Sequence, residues 1–229
     1  ADAGSYDVVI SDACGSLISV IATLNFKARG ECLQPPPGMI AWYPFDETSG
    51  TVAHDYFGGQ NGTLNGGATF IPGMVGNGLN FDGIGDYVRV PNPPLNLQDK
   101  FSIDAWIYPT TSDSLIIATK EKLVATTGGK QGFVFNVNGG FLNFSYGDGG
   151  PVSYQLTQSS STAIPLNTWS LVAVTVDRTA SPAIKLYRNG ILLNATGTSI
   201  TGNINNDADL LIGRFADYAP GEFFAGILD

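Results

Sequence analysis

The side chains able to do chemistry are few and scattered. The chain of 229 residues has four glutamates, Glu31, Glu47, Glu121 and Glu222, and one histidine, His54. A retaining glycoside hydrolase sets two carboxylates about 5 Å apart across its cleft. No glutamate here has an acidic partner two residues away on a predicted strand. His54 has no nucleophile arranged beside it, and no phosphate-binding loop or zinc-ligand spacing occurs. The sequence therefore speaks against an enzyme. It speaks for recognition of hydroxyl-rich ligands, because sugars are held by aromatic faces with Asn, Asp and Arg ordering their hydroxyls. Tyr146, Asp148, Tyr154, Arg214 and Tyr218, with Phe215 and Asp217, are the candidate aromatic and polar groups for such a site.

The elements that must position these groups are strands. Short apolar and aromatic runs alternate with turns rich in Gly, Asn and Asp from Trp42 onward, the pattern of an antiparallel all-β domain. Strands are predicted near 39–45, 51–55, 61–64, 68–71, 78–82, 86–90, 101–109, 114–119, 132–137, 140–146, 151–157, 168–177, 183–188, 191–195, 209–213 and 223–228. Asn189-Gly190 between two apolar runs is the strongest short hairpin signal. The best helical candidate, 112–125, is broken by β-branched residues and lacks a clean 3.6-residue stripe. Hydrophobic residues make up 43% and charged residues 14%, with a formal net charge of -9. An acidic chain has no electrostatic footprint for nucleic acid or for an anionic membrane surface. No apolar run approaches the roughly 20 residues of a membrane helix, so no membrane insertion is expected. The first residues also lack the basic and apolar segments of a secretory leader.

Trp42, Phe45-Asp46-Glu47, Gly50, Asp55, Gly58, Asn61-Gly62, Gly76, Gly78, Phe81-Asp82-Gly83 and Asp86-Tyr87-Val88 together resemble the opening of a laminin G-like domain. The runs from Phe101 to Tyr108 and from Thr168 to Asp177 resemble later strands of that family. The resemblance implies a concanavalin A-like jelly-roll β-sandwich of the kind found in secreted bacterial proteins. It implies that Trp42, Trp106 and Trp169 lie in core strands. It also implies a loop, Asp55 to Thr63, that with Asp46, Asp55, Asn61 and Asp229 could share one structural calcium; calcium is held by six to eight oxygen ligands. The family pattern continues beyond the Gly-x-Ile-Asp that ends at Asp229. The jelly roll, 39–229, is therefore expected to be C-terminally truncated, with a vacancy beside its first strand.

Residues 1–26 are predicted to form a β-hairpin turning at Asp12-Ala13-Cys14-Gly15. Asp2-Ala3-Gly4-Ser5-Tyr6 has the spacing of a tyrosine corner, and the segment resembles the last hairpin of an immunoglobulin-like domain. Residues 27–38, with three consecutive prolines, form a semi-rigid linker. Cys14 and Cys32 permit one disulfide. Extended geometry separates them by roughly 30 Å, against the roughly 7 Å a bridge spans. The linker must double back, or each must bond elsewhere. Asn61, Asn143 and Asn194 stand in N-glycosylation sequons. The expected function is a non-enzymatic extracellular binding or adhesion module for a glycan or an extracellular protein. The alternative is a filament or sheath subunit, in which the N-terminal hairpin of one copy completes the sandwich of the next.

Overall fold

The structure, a computed structural model, describes residues 4–6, 9–12, 15–18, 22–24, 35–97, 99–151, 154–158, 162–218 and 221–229. The chain divides into two compact units, Ala1–Gly38 and Met39–Asp229. Among the described residues there is no helix.

The first unit holds β1 (Gly4–Tyr6), β2 (Val9–Asp12), β3 (Gly15–Ile18) and β4 (Ala22–Leu24). β2 pairs with β3, with Asp12 opposite Gly15. The expected single second strand is two short ones, and β4 pairs with β1 instead. Asp2, Cys14 and Cys32 lie outside the described residues, so the tyrosine-corner motif and the disulfide remain readings of the sequence.

The second unit is a sandwich of two antiparallel sheets. The strands are β5 (Val52–Ala53), β6 (Gly62–Asn65), β7 (Thr69–Pro72), β8 (Asn77–Asp82), β9 (Tyr87–Val90), β10 (Lys100–Pro109), β11 (Leu115–Leu123), β12 (Lys130–Asn138), β13 (Phe141–Asp148), β14 (Tyr154–Gln158), β15 (Ser170–Asp177), β16 (Ile184–Arg188), β17 (Ile191–Thr196), β18 (Leu210–Ile212) and β19 (Ala225–Leu228). One sheet has the order β17-β16-β15-β10-β19-β8-β7, the other β14-β13-β12-β11-β18-β9-β6-β5. The core between them is built by period-two alternation: Val172, Val174 and Val176 from one sheet meet Phe133, Phe135, Leu142 and Phe144 from the other. Asn189 and Gly190 both have positive φ, 49° and 77°, as a two-residue hairpin turn between Arg188 and Ile191 requires.

Residues 39–45 form no strand. Pro44 lacks an N–H, Phe45 has φ 53°, and Trp42 gives its N–H to the Asp55 side chain rather than to a ladder. Trp42 is also 43% exposed rather than in the core, and its ring leans on that of Tyr56. Nor is β19 a sheet edge: it is bonded to β10 on one side and to β8 on the other. The expected vacancy beside a first strand is thus not seen among the described residues.

β18 and β19 belong to different sheets, and residues 213–224 carry the chain between them. Phe224 is fully buried against Phe81, and Gly213 turns at φ 85° with the Phe81 ring 2.5 Å from where a Cβ would stand. That close approach admits only glycine. Beyond it, residues 214–218 lie over the outer face of the eight-stranded sheet, and Arg214 bridges to Phe223.

Candidate functional site

The outer face of the eight-stranded sheet can be followed by register. One row runs Ser145, Val134, Thr119, Leu211, Arg89, Thr63 and Val52 across β13, β12, β11, β18, β9, β6 and β5. Val134, Thr119 and Leu211 are buried yet stand opposite the core. Two residues along, the next row runs Glu121, Gly132, Gly147 and Tyr154. The two glycines bring no side chain between the Glu121 carboxylate and the Tyr154 ring. Residues 216–218 lie against this face, with Ala216 buried.

Together they form a cleft of about 410 Å³ lined by Thr119, Glu121, Lys122, Leu123, Asp207, Ala208, Asp209, Leu211, Ala216, Asp217 and Tyr218. Tyr218 donates its hydroxyl to Glu121 Oε1. Lys130 Nζ stands 4.0 Å from the same oxygen, 4.6 Å from the centre of the Tyr154 ring and 5.9 Å from that of Phe215. Phe215 and Tyr218 meet edge to face at 5.8 Å. Glu121 Oε2 is buried with no hydrogen-bond partner, on a side chain with 0% exposure. Burial pushes the Glu121 carboxyl above the usual carboxylate range, against the lowering effects of the Tyr218 hydroxyl and Lys130. Burial, then the Glu121 charge, pushes the Tyr154 hydroxyl up to about 12.

The other carboxylates of the cleft are engaged. Arg89 reaches Asp209 at 2.6 Å and grips both oxygens of Asp217 at 2.9 and 3.0 Å. Arg214 adds a 2.8 Å bond to Asp217 and lies over the rings of Tyr87 and Phe223. Lys122 pairs with Asp207.

Of the sequence-predicted ligand residues, Asp217 and Tyr218 line the cleft, Tyr154 and Phe215 stand beside it around Lys130, and Arg214 holds Asp217 while lying over the Tyr87 ring. Two fall elsewhere. Tyr146 is fully buried, because it shares the inward parity of Leu142 and Phe144, and its hydroxyl is tied to Thr198. Asp148 accepts the N–H groups of Gly150 and Gly202 and so fixes turns. Sequence reasoning missed Glu121, Lys130 and Arg89. The available signal was Lys120-Glu121-Lys122, a charged run inside an apolar strand of a charge-poor chain.

The residues expected to share calcium do not fit the ion. Asp55 Oδ1 accepts N–H groups from Trp42, Phe57 and Gly58, and Oδ2 accepts that of Gln60. Asn61 Oδ1 accepts the N–H of Asp55, Asp46 that of Asn77, and Asp229 that of Val75. A cation at Asp55 would face the positive ends of four amides. Among the described residues, no three acidic, His or Cys side chains are placed to hold a metal. Of the sequons, Asn61 is exposed and Asn194 half-buried, whereas Asn143 is 3% exposed in β13 with its amide bonded to Phe141 O. A glycan cannot be attached to that side chain in the folded state.

Among solved structures, the chain resembles domain 4 of AbnA, an extracellular GH43 arabinanase of Geobacillus stearothermophilus solved with arabinotriose. Identity is 18% and the TM-score 0.55, over 83% of this chain and 88% of that one. It also resembles the binding domain of Paraclostridial Mosquitocidal Protein 1, at 16% identity and TM-score 0.61; the match covers 82% of this chain but 46% of the toxin domain. A third likeness is the CBM40 of Ruminococcus gnavus IT-sialidase bound to α2,3-sialyllactose, at 12% identity and TM-score 0.54 over 66% of this chain and 85% of that one. No curated protein matches the chain in sequence. A family model matches residues 82–229, which include every residue lining the cleft but begin after most of the Trp42–Val90 stretch. On that match the chain belongs to the concanavalin A-like lectin/glucanases superfamily, in its laminin G-like form.

Proposed function

We propose that this chain is a non-catalytic extracellular binding module that holds a glycan in the cleft between β11 and residues 216–218. The observation that carries this reading is the convergence of Tyr154, Phe215 and Tyr218 with Glu121 and Lys130 on one face of a rigid sheet. Aromatic faces and a few fixed polar groups are what sugar recognition needs. The solved structures it resembles include modules that carry arabinotriose or sialyllactose and toxin binding domains, which favours binding over turnover and a location outside the cell. Hydrolysis has less support. Asp207, Asp209 and Asp217 are each committed to an ion pair, so Glu121 has no free carboxylate partner in the cleft.

The test is a glycan array followed by titration calorimetry of the best ligand. Wild-type binding should be weakened at least about tenfold by Tyr154→Ala, the loss of one stacking face and its cation–π contact. A ligand that binds Tyr154→Ala and Tyr218→Ala as tightly as wild type places recognition elsewhere. A blank array with the wild-type protein removes the glycan reading and leaves a protein ligand to be sought with the same variants.

A further inference from the structure

The seven-stranded sheet has an outer face on the side of the sandwich away from the cleft. On β10 the core side is taken by Phe101, Ile103, Ala105 and Ile107, so Asp104, Trp106 and Tyr108 point the other way. Trp106 thus lies in a core strand but turns outward, and Tyr108 meets Trp169 at 5.5 Å. Across the strands, Asp104 stands opposite Ala173 and Ala173 opposite Tyr187; two residues along, Ser102 stands opposite Thr175 and Thr175 opposite Lys185. Strand spacing puts Tyr187 about 10 Å from Asp104 with only the Ala173 methyl between them, and strand rise puts Trp106 about 7 Å from Asp104. The floor is small and polar, and aromatic rings stand on two sides of it. The other charges of this face are engaged: Lys100 pairs with Asp177 at 3.1 Å, and Asp229, opposite Trp106, accepts the Val75 N–H. Among the described residues, Asp104 and Lys185 have no hydrogen-bond or ion-pair partner. Asp104 is open to solvent, yet partial desolvation with no donor to offset it holds its carboxyl above the usual carboxylate range, as on the floor of a trough.

We infer that this face is a second binding surface, independent of the cleft, for an uncharged oligosaccharide that lies over Ala173 against Trp106 and Tyr187, gives hydroxyl donors to Asp104 and accepts from Lys185. Charge selects the class. One free carboxylate and one free ammonium on the same face suit a ligand that both donates and accepts and carries no charge, whereas a ligand of either sign would set one of the two against its like. The rings supply the apolar faces that sugar carbons stack on. This surface goes beyond the cleft reading and does not depend on it.

The experiment probes an array of neutral cello-, xylo-, manno- and malto-oligosaccharides, acidic oligogalacturonates and amine-bearing chitosan oligomers with the full chain. Wild type is compared with the face variants Asp104→Ala and Tyr187→Ala and with the cleft variant Tyr218→Ala, each checked for folding by its melting curve. A neutral oligosaccharide should be bound by wild type and by Tyr218→Ala alike, and be weakened at least about tenfold by Tyr187→Ala and by Asp104→Ala. Its binding should also change less than about twofold on raising the salt from 50 to 500 mM, because no ligand charge is screened. Asp104→Ala, at an exposed position, keeps the test valid if Tyr187→Ala does not fold. Wild-type signals that all survive both face variants overturn the inference; if they are lost in Tyr218→Ala, the cleft reading stands alone. Face-dependent binding of oligogalacturonate or chitosan in place of the neutral sugars overturns the ligand class. A wild-type array blank for every sugar overturns this inference and the cleft reading together.

Discussion

Glu121→Gln should make the protein more stable at neutral pH, by an amount that fades in acid. The wild-type side chain has 0% exposure and one oxygen without a partner. An unsatisfied buried group costs about 1–3 kcal/mol, more when charged. Glutamine removes the charge but leaves an amide with its own unmet donors, so a net gain near the low end, about 1 kcal/mol, is expected. For a domain of this size that is about 2–4 °C in Tm. The pH dependence follows from the direction of the shift. Burial raises the Glu121 carboxyl above its ordinary 4.5 in the folded state. Below that ordinary value the group is protonated both folded and unfolded, and no penalty exists. As pH rises through it toward the raised folded value, the unfolded chain releases the proton while the folded chain retains it, and stability is lost. Above the folded value the loss is complete. Differential scanning calorimetry of both proteins from pH 4 to pH 8 should therefore show curves that coincide in acid and diverge as pH rises. A Tm for Glu121→Gln that is lower at pH 8, or offset equally at pH 4 and pH 8, would refute the reasoning. It would mean that Oε2 has a partner in solution.

Three further outcomes are expected. Phe224→Ala should cost about 3–5 kcal/mol in urea unfolding, because the ring is fully buried against Phe81 and anchors the segment that covers the cleft. Asp55→Ala should cost about 3 kcal/mol, since four N–H groups lose their acceptor, and millimolar calcium or a chelator should shift the wild-type Tm by less than about 1 °C. Peptide mapping after expression in a glycosylating host should find Asn143 unmodified, because its side chain is buried in β13.

Strand placement was legible because burial follows period two. The runs at 101–109 and 168–177 alternate cleanly and became β10 and β15. Asn189-Gly190 fixed a hairpin because both positions need positive φ. The same parity could have placed Tyr146 inside, since it continues Leu142 and Phe144 on the core side. Trp42 was not legible as exposed: its backbone is captured by the Asp55 side chain thirteen residues on, a contact that no local pattern encodes. β11 runs on to Leu123, four residues past its predicted end, and carries Glu121 with it. What makes Glu121 a site is more distant still. Tyr218 comes from 97 residues later, beyond the turn at Gly213 and before the chain reaches the other sheet at β19. Residue types pointed to Tyr154 and Tyr218, but the Glu121 carboxylate beside them is enclosed only by the tertiary return of the chain.

The acidic composition takes on a different meaning once each carboxylate is followed to its partner. Asp55, Asp86 and Asp148 accept backbone N–H groups and lock Gly-rich turns. Part of the net charge of -9 thus goes into tying loops, and at Asp55 both carboxylate oxygens accept amide N–H groups. Asp207, Asp209 and Asp217 spend their charge on Lys122, Arg89 and Arg214 to hold the cleft wall. Glu47 also has a buried unpartnered oxygen, but its other oxygen holds His54 by backbone and ring, and it does not line the cleft. That leaves Glu121 as the cleft group whose electrostatic demand the fold does not meet. A substitution that raises stability and lowers ligand affinity together would mark Glu121 as held for binding rather than for folding.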